Sequence, residues 1–525
     1  MSQLGYAPQK NNFSGTSTFQ KILDVIEYVG NKFPSPFILF SMLALVVLVI
    51  SAIFEGTAVS YIGKGGKAVD VKVLSLLNAD GFRYIMTDMV KNFINFPPLG
   101  LVVVMMLAMG LAEATGFIGT LVRKIMLGVP SWAITATIFL IGINGNLASD
   151  AAMVFVPAAA AAVYASMGKN PILGMSIAFA ATAAGFSANF IPAGTDALIA
   201  GITQSAIGNV AATANSPAHP LINYYFMSSS VVLLTIVGTL VAEKVVSPRL
   251  DKLEMKELQN GINEHLVTPE EKKGLAYAGW TALAYILLLL ILLVPEYGIL
   301  RDPKTHLLIP KSPFLDGIIP ILFFFFFFIG IAFGIGKGVI KKESDIPKFL
   351  SQGLSGSLSF IVTAFSAAQF IAWFNKTNIA TVIAVKGAHL LQSLDFTGAA
   401  LVIALILLSG FVDLFVISGS AKWLVLAPIF VPMFGLLGYE PALTQAAYRI
   451  GESAINSVTP LNYYVPVMLG IMAHYMKSEE KVGMGTLMAT QIPYALAFLV
   501  TWTLWLLLFM ALNLPLGPGA NIFLK

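Results

Sequence analysis

Two charged residues of opposite sign, Arg449 and Glu452, stand three apart in a stretch of chain otherwise apolar enough to sit in lipid. Asp413 and Lys422 precede them around a Ser418-Gly419-Ser420 tip, and a Thr459-Pro460-Leu461-Asn462 break follows. An ionisable side chain at bilayer depth is costly, so it faces a cavity, a partner or a substrate path. The guanidinium of Arg449 is a planar fork suited to a substrate carboxylate. Its alternative is an internal ion pair with Glu452 or Asp413. Residues three apart share a helix face, so the expectation for an empty site is that Glu452 holds Arg449 and yields it to an arriving anion.

A second set lies earlier. Asn144-Gly-Asn-Leu-Ala-Ser-Asp150 interrupts one apolar stretch, and Ser187-Ala-Asn-Phe-Ile-Pro-Ala-Gly-Thr-Asp196 interrupts the next. Asp196 is placed to bind a cation or carry a proton, or else to cap a helix end. Asn146, Ser149 and Asp150 parallel Ser418 and Ser420. Amide, hydroxyl and carboxylate oxygens suit Na⁺ at the two tips, although the same residues also favour turns for their geometry alone. Trp423 either stacks on an aromatic substrate or packs at a helix start. Lys422 reads as ion-paired or snorkelling, and Glu113 as interfacial. Asn189 and Asn462, one in each break, complete the expected substrate-binding set.

The elements that position these groups must be membrane elements. The chain has 525 residues, 57% hydrophobic and 11% charged, against roughly 25% charged in a soluble domain. A spanning helix takes about 20 apolar residues, so many fit. Cysteine is absent, which removes disulfides and thiol chemistry, and five scattered His make no metal-like pair. No basic run carries the aromatic interleaving of a nucleic-acid binder.

In order, residues 1–36 are a polar N-terminal segment with an interfacial helix at Ile22 to Tyr28. The first membrane half is 37–245, with a hydrophilic loop at 55–95, a re-entrant hairpin at 131–167 and a broken helix at 172–207. A charged cytoplasmic loop follows at 246–274. The second half is 275–515, with a hairpin at 396–437 and a broken helix at 441–472, ahead of a tail at 516–525. At an offset of 270 residues Gly168 meets Gly438, Pro171 meets Pro441 and Ser187 meets Ser457. The two halves repeat one order of elements in opposite orientation. Inverted repeats with broken helices at the midplane are secondary-transporter architecture. The fold class expected is all-α and polytopic, with nine transmembrane helices plus two re-entrant hairpins. The Lys and Arg distribution puts the N-terminus in the cytoplasm.

The segments VIEYVGNKFPSPFILF, SANFIPAGTDALIAGIT and SGSAKWLVLAPIFVPMFGLLGYEPALTQAAYRIGESAINSVTPLN resemble the p-aminobenzoyl-glutamate transporter (AbgT) family over nearly the whole chain. The resemblance implies a homodimer in a bacterial inner membrane, with a water-filled basin, ion-gradient coupling by Na⁺ or H⁺ and no other cofactor. It implies uptake of p-aminobenzoyl-glutamate or export of sulfonamide antimetabolites, on a fold similar to that of the divalent-anion/sodium symporters. The family's functional positions match Asp196, Ser420, Trp423, Pro441, Arg449 and Pro460. Two positions depart: Glu452 stands where Asp is usual, and Asp413 where Asn is frequent.

A secondary active transporter of aromatic carboxylates is therefore the leading expectation, with a sodium-coupled dicarboxylate carrier as its rival. A membrane hydrolase lacks a Ser-His-Asp set, a His-Glu-x-x-His motif or a phosphate loop in the sequence. A channel would not accumulate substrate against a gradient.

Overall fold

The computed structural model describes residues 34–62, 68–250, 267–309, 312–355, 358–477 and 483–524. The interfacial helix expected at Ile22 to Tyr28 lies outside them. The described chain is mostly helical. Seven of its helices are long and apolar enough to cross a membrane, or eight when the bent pair Asp345–Ser355 and Phe360–Lys376 is one span. Pro269–Leu293 shows the physical reason. It buries only Glu271, Gly274, Leu275 and Ala278, one short stripe against Ile318–Lys337, and leaves Leu287 and Ile291 exposed as a lipid face.

Two sequence expectations about loops change. Residues 55–95 hold an antiparallel β-hairpin, Ala58–Ile62 with Ala68–Lys72, and then the helix Ala79–Ile94. Asn78 caps that helix by accepting from the Gly81 N–H at 2.8 Å. Phe82, Met86, Val90 and Ile94 recur every four residues along it and are exposed. That spacing is a helix signal, outweighed in the sequence by the polar residues between. The charged loop is also shorter than expected. The helix Tyr224–Val241 continues through a π-turn at Ala242–Val246 into Ser247–Leu250. The next described helix begins at Pro269, where Thr268 and Glu271 form a reciprocal capping box.

The stretch 131–167 contains Ile134–Ile143, a 3₁₀ segment Asn144–Ala151 and Ala152–Ser166. Its counterpart contains Gly398–Asp413 and Gly419–Leu436. After each comes an interrupted helix: Pro171–Phe179, a π-turn Ala180–Ala184, then Gly194–Ile207; and Pro441–Asn456, then Val465–Tyr475. The joints match in detail. Gly168 and Gly438 both adopt left-handed φ, +68° and +89°. Beside them the Lys169 N–H donates to Tyr164 O at 2.9 Å and the Tyr439 N–H to Phe434 O at 3.0 Å. These are equivalent Schellman endings, where glycine avoids the strain of a Cβ. Pro171 and Pro441 then open the next helices at a position where a missing N–H costs nothing. The C-terminal tail is packed: Leu516, Ala520 and Ile522 are buried, and the Leu524 N–H donates to Gly438 O at 2.9 Å.

Candidate functional site

The helix Pro441–Asn456 is buried almost all round, yet it carries Thr444, Gln445, Arg449, Glu452, Ser453 and Asn456. Buried polar groups need partners, and here most of these partners come from the first broken helix. Arg449 Nη2 bonds Asp196 Oδ1 at 2.7 Å and donates to Ser187 O at 2.6 Å. Asp196 sits in the first turn of Gly194–Ile207, and its Oδ2 accepts from Asn189 Nδ2 and from the Ala193 N–H, each at 2.7 Å. The break thus folds back on the carboxylate, and the helix N-terminus favours its charge. Arg449 and Asp196 are both buried.

This corrects the expected partner of Arg449. Neither Glu452 nor Asp413 holds it. Glu452 Oε2 instead accepts from Ser453 Oγ at 3.0 Å and lies 3.5 Å from Ser187 Oγ. Ser453 Oγ in turn accepts from the Ser187 N–H at 3.2 Å. Asp413 is fully buried and paired with Lys422, away from the cavity wall. Lys422 is 2% exposed, so it is ion-paired and does not snorkel.

A cavity of about 590 Å³ opens where the breaks and the second hairpin tip converge. Its wall includes Ser418, Ser420, Arg449, Glu452 and Asn462. Glu113 also lines it, where an interfacial position was expected. Five aromatic residues, Phe186, Phe360, Tyr448, Tyr463 and Tyr464, also line it. Asn462 holds the second break in shape: Nδ2 donates to Asn456 O at 2.9 Å and Oδ1 accepts from the Tyr464 N–H at 3.0 Å.

Trp423 does not reach this wall. It is 0% exposed, with its ring stacked on Tyr448 at 4.5 Å and 22° and its Nε1 donating to Thr203 Oγ1 at 2.9 Å. Tyr448 is the ring in the wall, tied to the tip by its hydroxyl, which donates to Gly419 O. Pro441 lies at the far end of its helix, and Pro460 is buried in the break; neither lines the cavity. Of the first tip, Asn146 is buried, donates to Phe186 O at 2.9 Å and leaves Oδ1 without a partner. The side chains of Ser149 and Asp150 lie outside the described residues. Ser418 caps its helix by accepting from the Ala421 N–H at 3.3 Å and stands 3.3 Å from Ser420 Oγ. Among the described residues no group of three or more His, Asp or Glu gathers as a metal site.

The sequence reading missed a polar chain behind the cavity. Thr203 Oγ1 donates to Gln445 Oε1 at 2.5 Å, Gln445 Nε2 to Asn223 Oδ1 at 2.7 Å, and Asn223 Nδ2 to Ala442 O at 2.8 Å. Its signal was Gln445, one turn before Arg449 on the same helix face.

A family model described as the AbgT putative transporter family matches residues 21–524. The chain is 37% identical over 513 residues to the p-aminobenzoyl-glutamate transport protein of Escherichia coli K12, covering 97% of this chain and 98% of that one. Among solved structures it is similar to the YdaH transporter of Alcanivorax borkumensis, with a TM-score of 0.86 and 31% identity over 92% of this chain and all of that one. It is equally similar in fold to MtrF of Neisseria gonorrhoeae, described among a class of antimetabolite efflux pumps, with a TM-score of 0.86, 36% identity, and coverage of 95% of this chain and all of that one.

Proposed function

The chain belongs to the AbgT putative transporter family, and from that premise we propose that it is a secondary active transporter of p-aminobenzoyl-glutamate or of antimetabolites sharing its aryl group. The observation that carries this reading is the cavity of about 590 Å³ with five aromatic residues in its wall, beside an ion pair that joins the two broken helices through the wall residue Arg449. The volume falls within the roughly 300–1,000 Å³ of small-molecule sites. Its aromatic wall favours an aryl substrate over the plain dicarboxylate of the rival reading. In the finer proposal the chain forms nine transmembrane helices and two re-entrant hairpins in an inverted repeat, similar to divalent-anion/sodium symporters. It works as a homodimer in a bacterial inner membrane, with a cytoplasmic N-terminus.

Coupling follows from the pair. Both bonds of Arg449 use Nη2, and its Nε has no partner, so its whole fork turns to a substrate carboxylate when a proton or cation on Asp196 releases it. Asn146, whose Oδ1 is buried without a donor, and the Ser418 and Ser420 hydroxyls offer oxygen ligands for Na⁺ at the tips. The test is flux of labelled p-aminobenzoyl-glutamate in proteoliposomes, with Na⁺ and pH gradients imposed separately. Accumulation driven by either gradient supports the reading and names the ion. Equilibration without accumulation under both would overturn the reading and make the protein an uncoupled pathway.

A further inference from the structure

Arg449 in the cavity wall is already engaged by Asp196, and Lys422 behind it by Asp413. Glu452 is ion-paired with neither, and feels the Lys422 charge only at longer range. It is 4% exposed and lies in the cavity wall, and among the described residues no Lys, Arg or His nitrogen approaches its carboxylate within 4.0 Å. Both of its hydrogen bonds fall on Oε2, from Ser453 and Ser187. Oε1 lies beside Gly419, where a Cβ would stand 2.5 Å from it. Glycine at that hairpin position is what gives the carboxylate its room. A buried carboxylate has several lone-pair directions to satisfy and only accepts. The ligand feature this wall reads in the present conformation is therefore a hydrogen-bond donor.

We infer that Glu452 is a specificity-determining residue whose Oε1 accepts a hydrogen bond from the aryl amine of the substrate. The inference rests on the proposed function and adds which end of the substrate is read, and by what. The 4-aminophenyl group is the part that p-aminobenzoyl-glutamate and sulfonamide antimetabolites have in common. An aryl amine is neutral near pH 7, so it brings donors into the cavity without a further charge to desolvate beside the carboxylates of the glutamate end. The aromatic wall accepts the ring and Glu452 reads its substituent. A carboxylate at the other end waits on Arg449.

The test compares binding of p-aminobenzoyl-glutamate and p-methylbenzoyl-glutamate, which replaces the amine by a methyl group of similar size, to the purified full-length protein and to Glu452→Gln. The wild type is expected to prefer the amine roughly ten- to a hundredfold, the range for a hydrogen bond to a charged group. In Glu452→Gln that preference should shrink by about tenfold, toward the roughly two- to tenfold of a neutral hydrogen bond, with binding of the methyl ligand less affected than binding of the amine, because a neutral amide oxygen is a weaker acceptor. Equal losses for both ligands would overturn the inference and make Glu452 a support of the tip or a holder of a cation. A preference that survives undiminished in Glu452→Gln would also overturn it. Should the variant fail to fold, the wild type still decides, since no preference for amine over methyl leaves Glu452 nothing to read. Wild-type protein that binds neither ligand would instead remove the proposed function on which the inference stands.

Discussion

The two hairpin-and-broken-helix units share a backbone and differ in charge. Each ends its hairpin in a left-handed glycine, Gly168 or Gly438, and opens the next helix with a proline. Each then stops and restarts at mid-course. Yet the first unit offers mainly neutral groups, Asn146, Asn189 and Ser187, with the single described carboxylate Asp196 at the site. The second carries Asp413, Lys422, Arg449 and Glu452. The repeat is thus a repeat of scaffold. The chemistry is divided, and the central ion pair needs one partner from each unit.

The largest expected effect comes from cutting that link. Removing one partner of a buried pair leaves an uncompensated charge and costs about 3–5 kcal/mol. Asp196→Ala should lower the unfolding midpoint in detergent accordingly, and Asp196→Ala with Arg449→Met should recover most of the loss. A double variant no better than the single one would mean that the pair does not join the units. Asp196→Asn is the milder probe. It should abolish gradient-driven accumulation while the folded protein persists, and normal accumulation would take Asp196 out of the coupling step.

Within the second unit, Lys422→Met strands Asp413, whose Oδ2 already lacks a partner. The expected cost is again about 3 kcal/mol. Here the pair is local to one hairpin, and among the described residues Asn189 and the Ala193 N–H have no counterparts around it. Replacing both members by apolar groups, Asp413→Leu with Lys422→Met, should therefore be neutral or stabilising. Denaturation of the three variants checks this, and a double variant as unstable as the single one would show that the ion pair itself is required there.

A smaller contrast lies between two single contacts of hairpin on broken helix, at Gly451 and at Gly142. In the second unit a Cβ at Gly451 would run into backbone atoms, Ile406 O and Gly410 N. In the first, a Cβ at Gly142 would lie 2.5 Å from the Ala181 methyl, with the nearest backbone atom at 3.5 Å. Overpacking costs about 1–3 kcal/mol. Gly451→Ala should fall at the upper end of that range and Gly142→Ala lower. The reverse order of midpoints would mean that the contact at Gly142 is the tighter of the two.

The scaffold was legible because its signals are local. The lengths of the apolar stretches, the G-x-x-P joints and the polar tips all show in consecutive residues. What was illegible depends on distance along the chain. Spacing made Glu452 the natural partner of Arg449, but Asp196 lies in the other half of the chain and wins because Asn189 and a helix N-terminus already fix its position. Trp423 carried a signal of type alone, and type does not say that Tyr448 stands between it and the cavity. The helix at 79–94 was readable from its four-residue apolar spacing, and the abundance of polar residues around it hid the pattern. Asp413 and Lys422 stand nine apart across the tip, so only the fold of the hairpin brings them together.

The finest difference between the units is at the helix openings. Asn170 caps the first broken helix, accepting from the Ile172 N–H at 2.9 Å, while its Nδ2 donates to Leu250 O at 2.8 Å. The equivalent Glu440 makes no side-chain cap bond. Losing a cap of this kind costs about 1 kcal/mol. Asn170→Ala should therefore lower stability by about that amount, and Glu440→Ala by less. Asn170→Asp separates the two roles of the side chain, because a carboxylate keeps the capping acceptor and cannot donate to Leu250 O. If the cap is the main contribution, Asn170→Asp should lie near wild type in a thermal scan. If the tie to Leu250 dominates, it should fall with Asn170→Ala. The first broken helix would then be anchored by the end of its neighbour more than by its own first turn.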